Sequence, residues 1–438
     1  MMTQKTIYLD YNTTTPMAGA VRQAMQPFLN ELFVLPGNLH WKSRAVEEAI
    51  EDARNQVCNT LDCLPSEVIF TRNGTESINL ALLGYALAIR KKTQRFLPHL
   101  ITSTMESETV RRTTERLQRR GWHVSRVACD STGRIDPSDV AKLITKRTRI
   151  ISIQWANADI GTIQDISTIG NLDRPNDCVF HCDAISALGK IRTQLPGLGV
   201  DLLSLSGHHA YGPKGVGVLF VRNGVSIRPL FNGAWQEGGL APGAENIPAI
   251  VGFGAAMELI QNAGMELGDR METLANRFYD RLRGEIGDAI RVNGPVEARV
   301  TIEDPFLSND QSSKGQAKKD QASEEQSKPV DSVSHAENLD LESGLIRLPN
   351  TLSLVLKDRD AQQLLIRTPE LHLGYSDAYS DQSARMIPYG ALEATGVTPR
   401  DAASTIRVSL GWNTTEEEID QAVQKLSDAY RSTPEMVG

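Results

Sequence analysis

The sequence predicts an α/β protein: a large domain with a mostly parallel sheet between helices, then a smaller α+β domain toward the C-terminus. Three observations carry this expectation. Short apolar strands alternate with helical segments from about residue 65 to 225, the signature of a sheet covered by helices on both faces. At 438 residues the chain is too long for one small core. A helical stretch beginning near Ile247 then leads away from the strand-rich region, which places the boundary near residue 260 and gives domains 1–260, with an N-terminal arm, and 261–438.

The elements follow in order. Glu67–Thr71 reads as a strand and Glu76–Arg90 as an apolar helix. His99–Ser103 is a strand, followed by a charged helix over Thr109–Arg120. Three further strands are expected at Ile150–Trp155, Val179–Asp183 and Leu202–Leu205, each a short apolar run. Val216–Val221 adds another, antiparallel in one alternative. A long helix is expected from Ile247 to about Glu285, broken near Gly264–Gly268. Ser308–Gly344 has no aromatic residue and is crowded with Ser, Gln, Lys, Asp and Glu, so it is expected to be a disordered insertion. Structure is expected to resume at Leu348–Val355, and a C-terminal helix to open on a capping box near Thr414–Glu418.

Bulk composition narrows the function classes. A net charge of −8 and the absence of a dense basic run argue against a nucleic-acid surface. No apolar run is long enough to cross a bilayer, and the first residues lack a signal-peptide core, so a cytoplasmic location without membrane contact is expected. The five cysteines form an odd set that reads as reduced thiols rather than a disulfide framework. Cys178 and Cys182 flank an apolar stretch and are expected to be buried strand residues, not metal ligands; no metal site is expected.

The stretches that carry chemistry are spread along the chain. They are Tyr8-Leu9-Asp10 through Thr13-Thr14-Thr15-Pro16, Gly74-Thr75-Glu76, Asn157 with Ile160-Gly161, Asp183-Ala184, Ser206-Gly207-His208-His209, Tyr211-Gly212-Pro213-Lys214-Gly215, and Arg407-Val408-Ser409-Leu410-Gly411. Their order and spacing resemble the cysteine desulfurases of the class V aminotransferase family, enzymes of fold type I that use pyridoxal phosphate (PLP). The resemblance covers nearly the whole chain outside the insertion.

The resemblance implies a role for each matched residue. Gly74 and Thr75 would cradle the cofactor phosphate, where a strand gives way to a helix whose first amides lack intrahelical acceptors. Ser206 and His208 would contact the same phosphate. Asn157 would hydrogen-bond the ring oxygen, and Asp183 would pair with the pyridinium nitrogen. Arg407 would clamp a substrate carboxylate with its planar fork.

The departures are equally specific. The family's Schiff-base lysine falls at His209, and an imidazole cannot form the imine that a primary amine forms. The ring-stacking histidine falls at Ser107, a glutamine near the ring oxygen at Ser186, and a threonine that reaches across the dimer interface near Ala244. The loop that should carry the sulfur-accepting cysteine reads Gly374–Asp381, and no cysteine follows Cys182. Neither serine nor tyrosine can store a persulfide. Lys214 is read as a structural turn residue rather than a substitute for the missing lysine.

Two functions are therefore expected. In the first, the chain is a cysteine desulfurase-like protein without desulfurase activity, a non-catalytic or regulatory subunit in sulfur metabolism. It would form a homodimer, or a heterodimer with an active relative, and meet a sulfur acceptor or iron–sulfur assembly protein; PLP would be held without a covalent bond or be lost. In the second, the chain is a PLP- or pyridoxamine-phosphate-dependent enzyme acting on an amino-acid-like substrate, with His209 as general base, as in the PLP-fold sugar dehydratases that also carry histidine there.

Overall fold

The computed structural model describes residues 6–90, 97–264, 266–299, 344–375 and 390–436. Except for Gly344, the expected insertion 308–344 lies outside them, as do residues 376–381 of the loop expected to replace the cysteine loop.

The strands of the large sheet are β2 (Val68–Thr71), β3 (His99–Ser103), β4 (His123–Val127), β5 (Thr148–Gln154), β6 (Val179–Asp183), β7 (Leu202–Ser206) and β8 (Gly217–Val221). They lie in the order β2-β8-β7-β6-β5-β3-β4. All neighbours from β4 through β7 run parallel, whereas β8 is antiparallel to both β2 and β7. The antiparallel alternative for this strand is the one found. Every residue of β3, β5, β6 and β7 is buried, as expected when helices cover both faces of a parallel sheet.

Each face has its own core. The helices Trp41–Leu61 and Ile247–Ala263 cover one face, where Val46, Val57, Ile151, Phe180 and Phe253 pack together. The opposite core joins Ile78, Leu82 and Leu117 to Leu100, Ile150 and Leu202. The helix expected from Glu76 begins earlier, at Gly74, with the Asn73 side chain accepting from the Glu76 amide at 2.9 Å. It continues through a π turn at Leu80–Gly84 into Tyr85–Ile89.

A second sheet holds β1 (Ile7–Leu9), β9 (Ile290–Asn293), β10 (Thr351–Leu356), β11 (Leu371–Tyr375) and β12 (Thr405–Ser409), in the order β1-β11-β12-β10-β9. Only the β1–β11 pair is parallel. The helices Glu266–Ile286 and Glu416–Ser432 pack on it around Leu274, Phe278, Leu354, Ile406 and Leu426. Ile247–Ala263 and Glu266–Ile286 are separated where Gly264 takes a φ of +58°, within the break expected from the glycines. The capping box is present: Thr415 accepts from the Glu418 amide, and Glu418 accepts from the Thr415 amide. No described helix is long and apolar enough to cross a membrane.

Candidate active site

Parallel strands end on a common edge, and ligands of open α/β sheets bind outside the carboxyl ends of the strands. The turns after β3, β5, β6 and β7 bring Met105–Ser107, Asn157–Asp159, Asp183–Ser186 and Ser206–His209 to that edge. Together with Asn73–Thr75 they line a cavity of about 630 Å³. Gly74, Thr75, Asn157, Asp183, Ser206, His208 and His209 all stand on its wall. Arg407 does not, and is held just behind it through Asp159, which does. Ser107 and Ser186 are also on the wall, whereas Lys214 is exposed and not among the lining residues. Ala244 is likewise exposed and outside the cavity.

One end of the cavity is built by Gly74 and Ser206. A Cβ on Gly74 would come within 2.4 Å of the Ile185 Cδ1 atom and 3.1 Å of Ser206 Cβ, so only glycine fits without movement. The first-turn amides of Gly74 and Thr75 have no intrahelical acceptor. Ser206 Oγ is buried and has no hydrogen-bond partner. These groups form an acceptor-seeking corner.

The floor carries two buried carboxyls. Asp183 Oδ2 accepts from the Ser107 hydroxyl at 2.9 Å, and Oδ1 accepts from the Ile185 amide at 3.2 Å. Burial nevertheless pushes its pKa above the ordinary carboxyl value. Glu106, unnoticed in the sequence, is fully enclosed; burial drives its pKa up to about 8. Its Oε1 accepts from Ser103 Oγ at 2.5 Å and from the Gln154 amide at 3.1 Å, while Oε2 has no partner. Asn157 is partly engaged in structure: Oδ1 accepts from the amides of Asp159 and Ile160, and Nδ2 gives one of its two hydrogens to the Met105 carbonyl at 3.3 Å.

His209, at which the sequence resemblance puts the family's covalent anchor, lines the cavity. Its ring packs against His208 with centroids 4.2 Å apart, and its buried Nδ1 has no partner. Burial, with Lys190, His208 and Arg407 adding positive charge nearby, holds its pKa well below the usual histidine value, so the ring is neutral at pH 7. Lys190 is a second group the sequence did not advertise. It is buried, donates to the Ser186 carbonyl at 3.0 Å, and burial lowers its pKa to about 7. The His209 turn is fastened from both sides. Thr15 donates to the His208 carbonyl and accepts from the Tyr211 amide, and Tyr211, at φ +59°, stacks on Trp412.

Cys178 and Cys182 are buried, as expected, and no cluster of metal-ligating side chains occurs among the described residues.

Comparisons with known proteins match this geometry. Residues 7–302 fit the family model described as aminotransferase class V. The cysteine desulfurase IscS of Dictyoglomus turgidum is 39% identical over 298 residues, 68% of this chain and 74% of the relative. The cysteine desulfurase IscS of Clostridium botulinum is 30% identical over 432 residues, covering 99% of this chain and 96% of the relative. Among solved structures, a NifS-like protein superposes with a TM-score of 0.79 at 29% identity, over 97% of this chain and 98% of that one. The chain therefore belongs to the class V aminotransferase family, as a cysteine desulfurase-like member, and its relatives there depend on PLP.

Proposed function

We propose that this chain binds PLP without a covalent link and does not desulfurate cysteine, serving as a non-catalytic or regulatory subunit in sulfur metabolism. The residues present fit the cofactor at two of its three anchoring points. The orphaned Ser206 hydroxyl beside Gly74 suits a phosphate. The buried Asp183, held above its ordinary pKa, gains from a protonated ring nitrogen. The third point does not fit a covalent anchor, because His209 offers no primary amine. When bound, PLP would supply an electron-withdrawing ring and an aldehyde. Thr75, Ser206 and His208 would hold the phosphate, Asn157 would orient the ring through its oxygen, and Asp183 would keep the ring nitrogen protonated.

The single observation that carries this reading is the neutral His209 in the expected anchor position, on the wall of the same cavity as Ser107, where the resemblance puts the family's acid/base histidine. Both groups that handle protons and covalent exchange in the family are replaced at once, and no cysteine follows Cys182. Phe231 and Trp235 are exposed, and the Arg72 guanidinium, two residues before Gly74, sits 5.5 Å from the Phe231 ring. Exposed apolar side chains of this kind suit contact with a second copy or an active relative, with a sulfur acceptor or iron–sulfur assembly protein as further partner. A cytoplasmic location fits the reduced cysteines.

Spectrophotometric PLP titration with borohydride trapping tests this, alongside assays of alanine and sulfide from cysteine. Saturable binding, no reducible protein–cofactor bond and no alanine is the expected result. Alanine release by the purified chain would refute it. A second reading is supported by His209 Nδ1, buried and unpartnered: it could accept a proton from a bound ligand, making the chain an enzyme with His209 as general base.

A further inference from the structure

We infer that Arg407 is closed to ligands and that the cavity takes a molecule whose distal end is neutral or cationic, without an α-carboxylate. This rests on the cavity being a phosphopyridoxyl site and concerns what else the ligand carries.

The guanidinium has almost no donor left to give. Nη2 donates to Asp10 Oδ1 at 2.8 Å and to Thr13 Oγ1 at 2.6 Å, and Nη1 donates to Asp159 Oδ1 at 2.7 Å. The remaining fork, the Nε–Nη2 edge, is backed by the chain. A Cβ built on Gly374 would lie 2.8 Å from both Nε and Nη2, and 2.7 Å from Asp10 Oδ1. Gly374 pairs with Arg407 across β11 and β12, so the strand itself covers that edge. Nε is accordingly buried without a partner. A bidentate clamp needs two parallel N–H groups on one open edge, and none remains.

Asp159 stands where a ligand carboxylate would stand. It lines the cavity, its side chain is 40% exposed, and it contacts Nη1 directly. The Asn157 side chain fixes it by accepting from its amide at 2.9 Å. One cation therefore already faces two carboxylates, Asp10 and Asp159. A third would add like-charge repulsion, whereas a hydroxyl or ammonium would meet Asp159 favourably.

Two measurements test this. In calorimetric titrations, N-(5′-phosphopyridoxyl)-L-serine is compared with N-(5′-phosphopyridoxyl)-ethanolamine, which differ by the carboxylate alone. The expected result is that the ethanolamine compound binds at least as tightly. Asp159→Asn should then shift the ratio toward the serine compound by about tenfold or more, the scale of a charge-assisted hydrogen bond. A serine compound bound tenfold more tightly by the unmodified chain would overturn the inference. Should neither compound nor PLP bind, the cofactor reading fails, and labelling decides this one. Phenylglyoxal, followed by peptide mapping, should leave Arg407 unmodified while exposed arginines react, and should modify it several-fold faster in Asp159→Asn. Labelling of Arg407 in the unmodified chain at the rate of exposed arginines would overturn the inference independently of any cofactor.

Discussion

Glu106→Gln isolates the proton that the cavity floor holds. Oε1 of Glu106 already accepts two hydrogen bonds, from Ser103 and the Gln154 amide, so the proton sits on the unpartnered Oε2. Burial raises the pKa from 4.5 to about 8, so the folded chain keeps a proton that the unfolded chain releases across that interval. Stability from this group is therefore fully present below about pH 4.5 and is lost as pH rises toward about 8. One proton of difference costs roughly 1 kcal/mol per pH unit, or about 2–3 kcal/mol between pH 5 and pH 7. The glutamine keeps the Oε1 acceptor and places an amide at Oε2, which adds a constant cost of about 1–3 kcal/mol from its unsatisfied donors. The signature is thus a slope, not an offset. Urea unfolding of both chains at pH 5, 6 and 7 should show the difference between them shrinking by about 2–3 kcal/mol as pH rises. Parallel curves would show that Glu106 does not hold its proton and would refute the reasoning.

Other outcomes follow from the same geometry. His209→Lys should create a borohydride-trappable adduct with PLP at residue 209, read by peptide mass; no adduct, with PLP still bound, would place the amine out of reach. Ser206→Ala removes a buried hydroxyl that has no partner, so the free chain should keep its stability to within about 1 kcal/mol while PLP affinity falls about tenfold. Equal affinities in calorimetry would remove Ser206 from the phosphate corner. Glu237→Ala breaks a bidentate pair with Arg54 (2.9 and 3.0 Å) and a bond from the Phe70 amide at 2.8 Å. Arg54 keeps its ion pair with Glu51 at 3.2 Å and its bond to the Val68 carbonyl at 2.7 Å, so the loss of the buried partner should cost about 2–3 kcal/mol in chemical unfolding. A loss below about 1 kcal/mol would mean that solvent rescues Arg54.

Much of the large sheet is visible in the sequence because its central strands are buried on both faces. A run such as Ile150-Ile151-Ser152-Ile153 has no solvent side to disguise it. The strand β4 escapes the same reasoning: at the sheet edge, its residues His123–Arg126 stay partly exposed and read as polar chain. Gly264 and the Thr415–Glu418 box are local signals and need no tertiary context. The site divides the same way. Residues inside recognisable turns, such as Gly74, Asp183 and Ser206–His209, converge on one cavity. Glu106, Lys190 and Asp159 pass unnoticed because what sets them apart is enclosure or a distant partner. Asp159 is an ordinary acidic turn residue until Arg407 arrives from β12. For the same reason, the sequence presents Arg407 as a free fork, whereas the fold presents it as a tie.

The pairing of Ile7 with Leu371 sets a timetable for the chain's own assembly. Strand β1 waits for a partner made much later in the chain, an interval of roughly 20–70 s at 5–20 residues per second. During that wait the large sheet can complete itself, since its strands all lie between Val68 and Val221. The N-terminal strand, with Asp10 and Thr15 just beyond it, then seals the second sheet, the Arg407 tie and the His209 turn in one late step. A nascent chain released early would carry a finished sheet and an unfastened pocket.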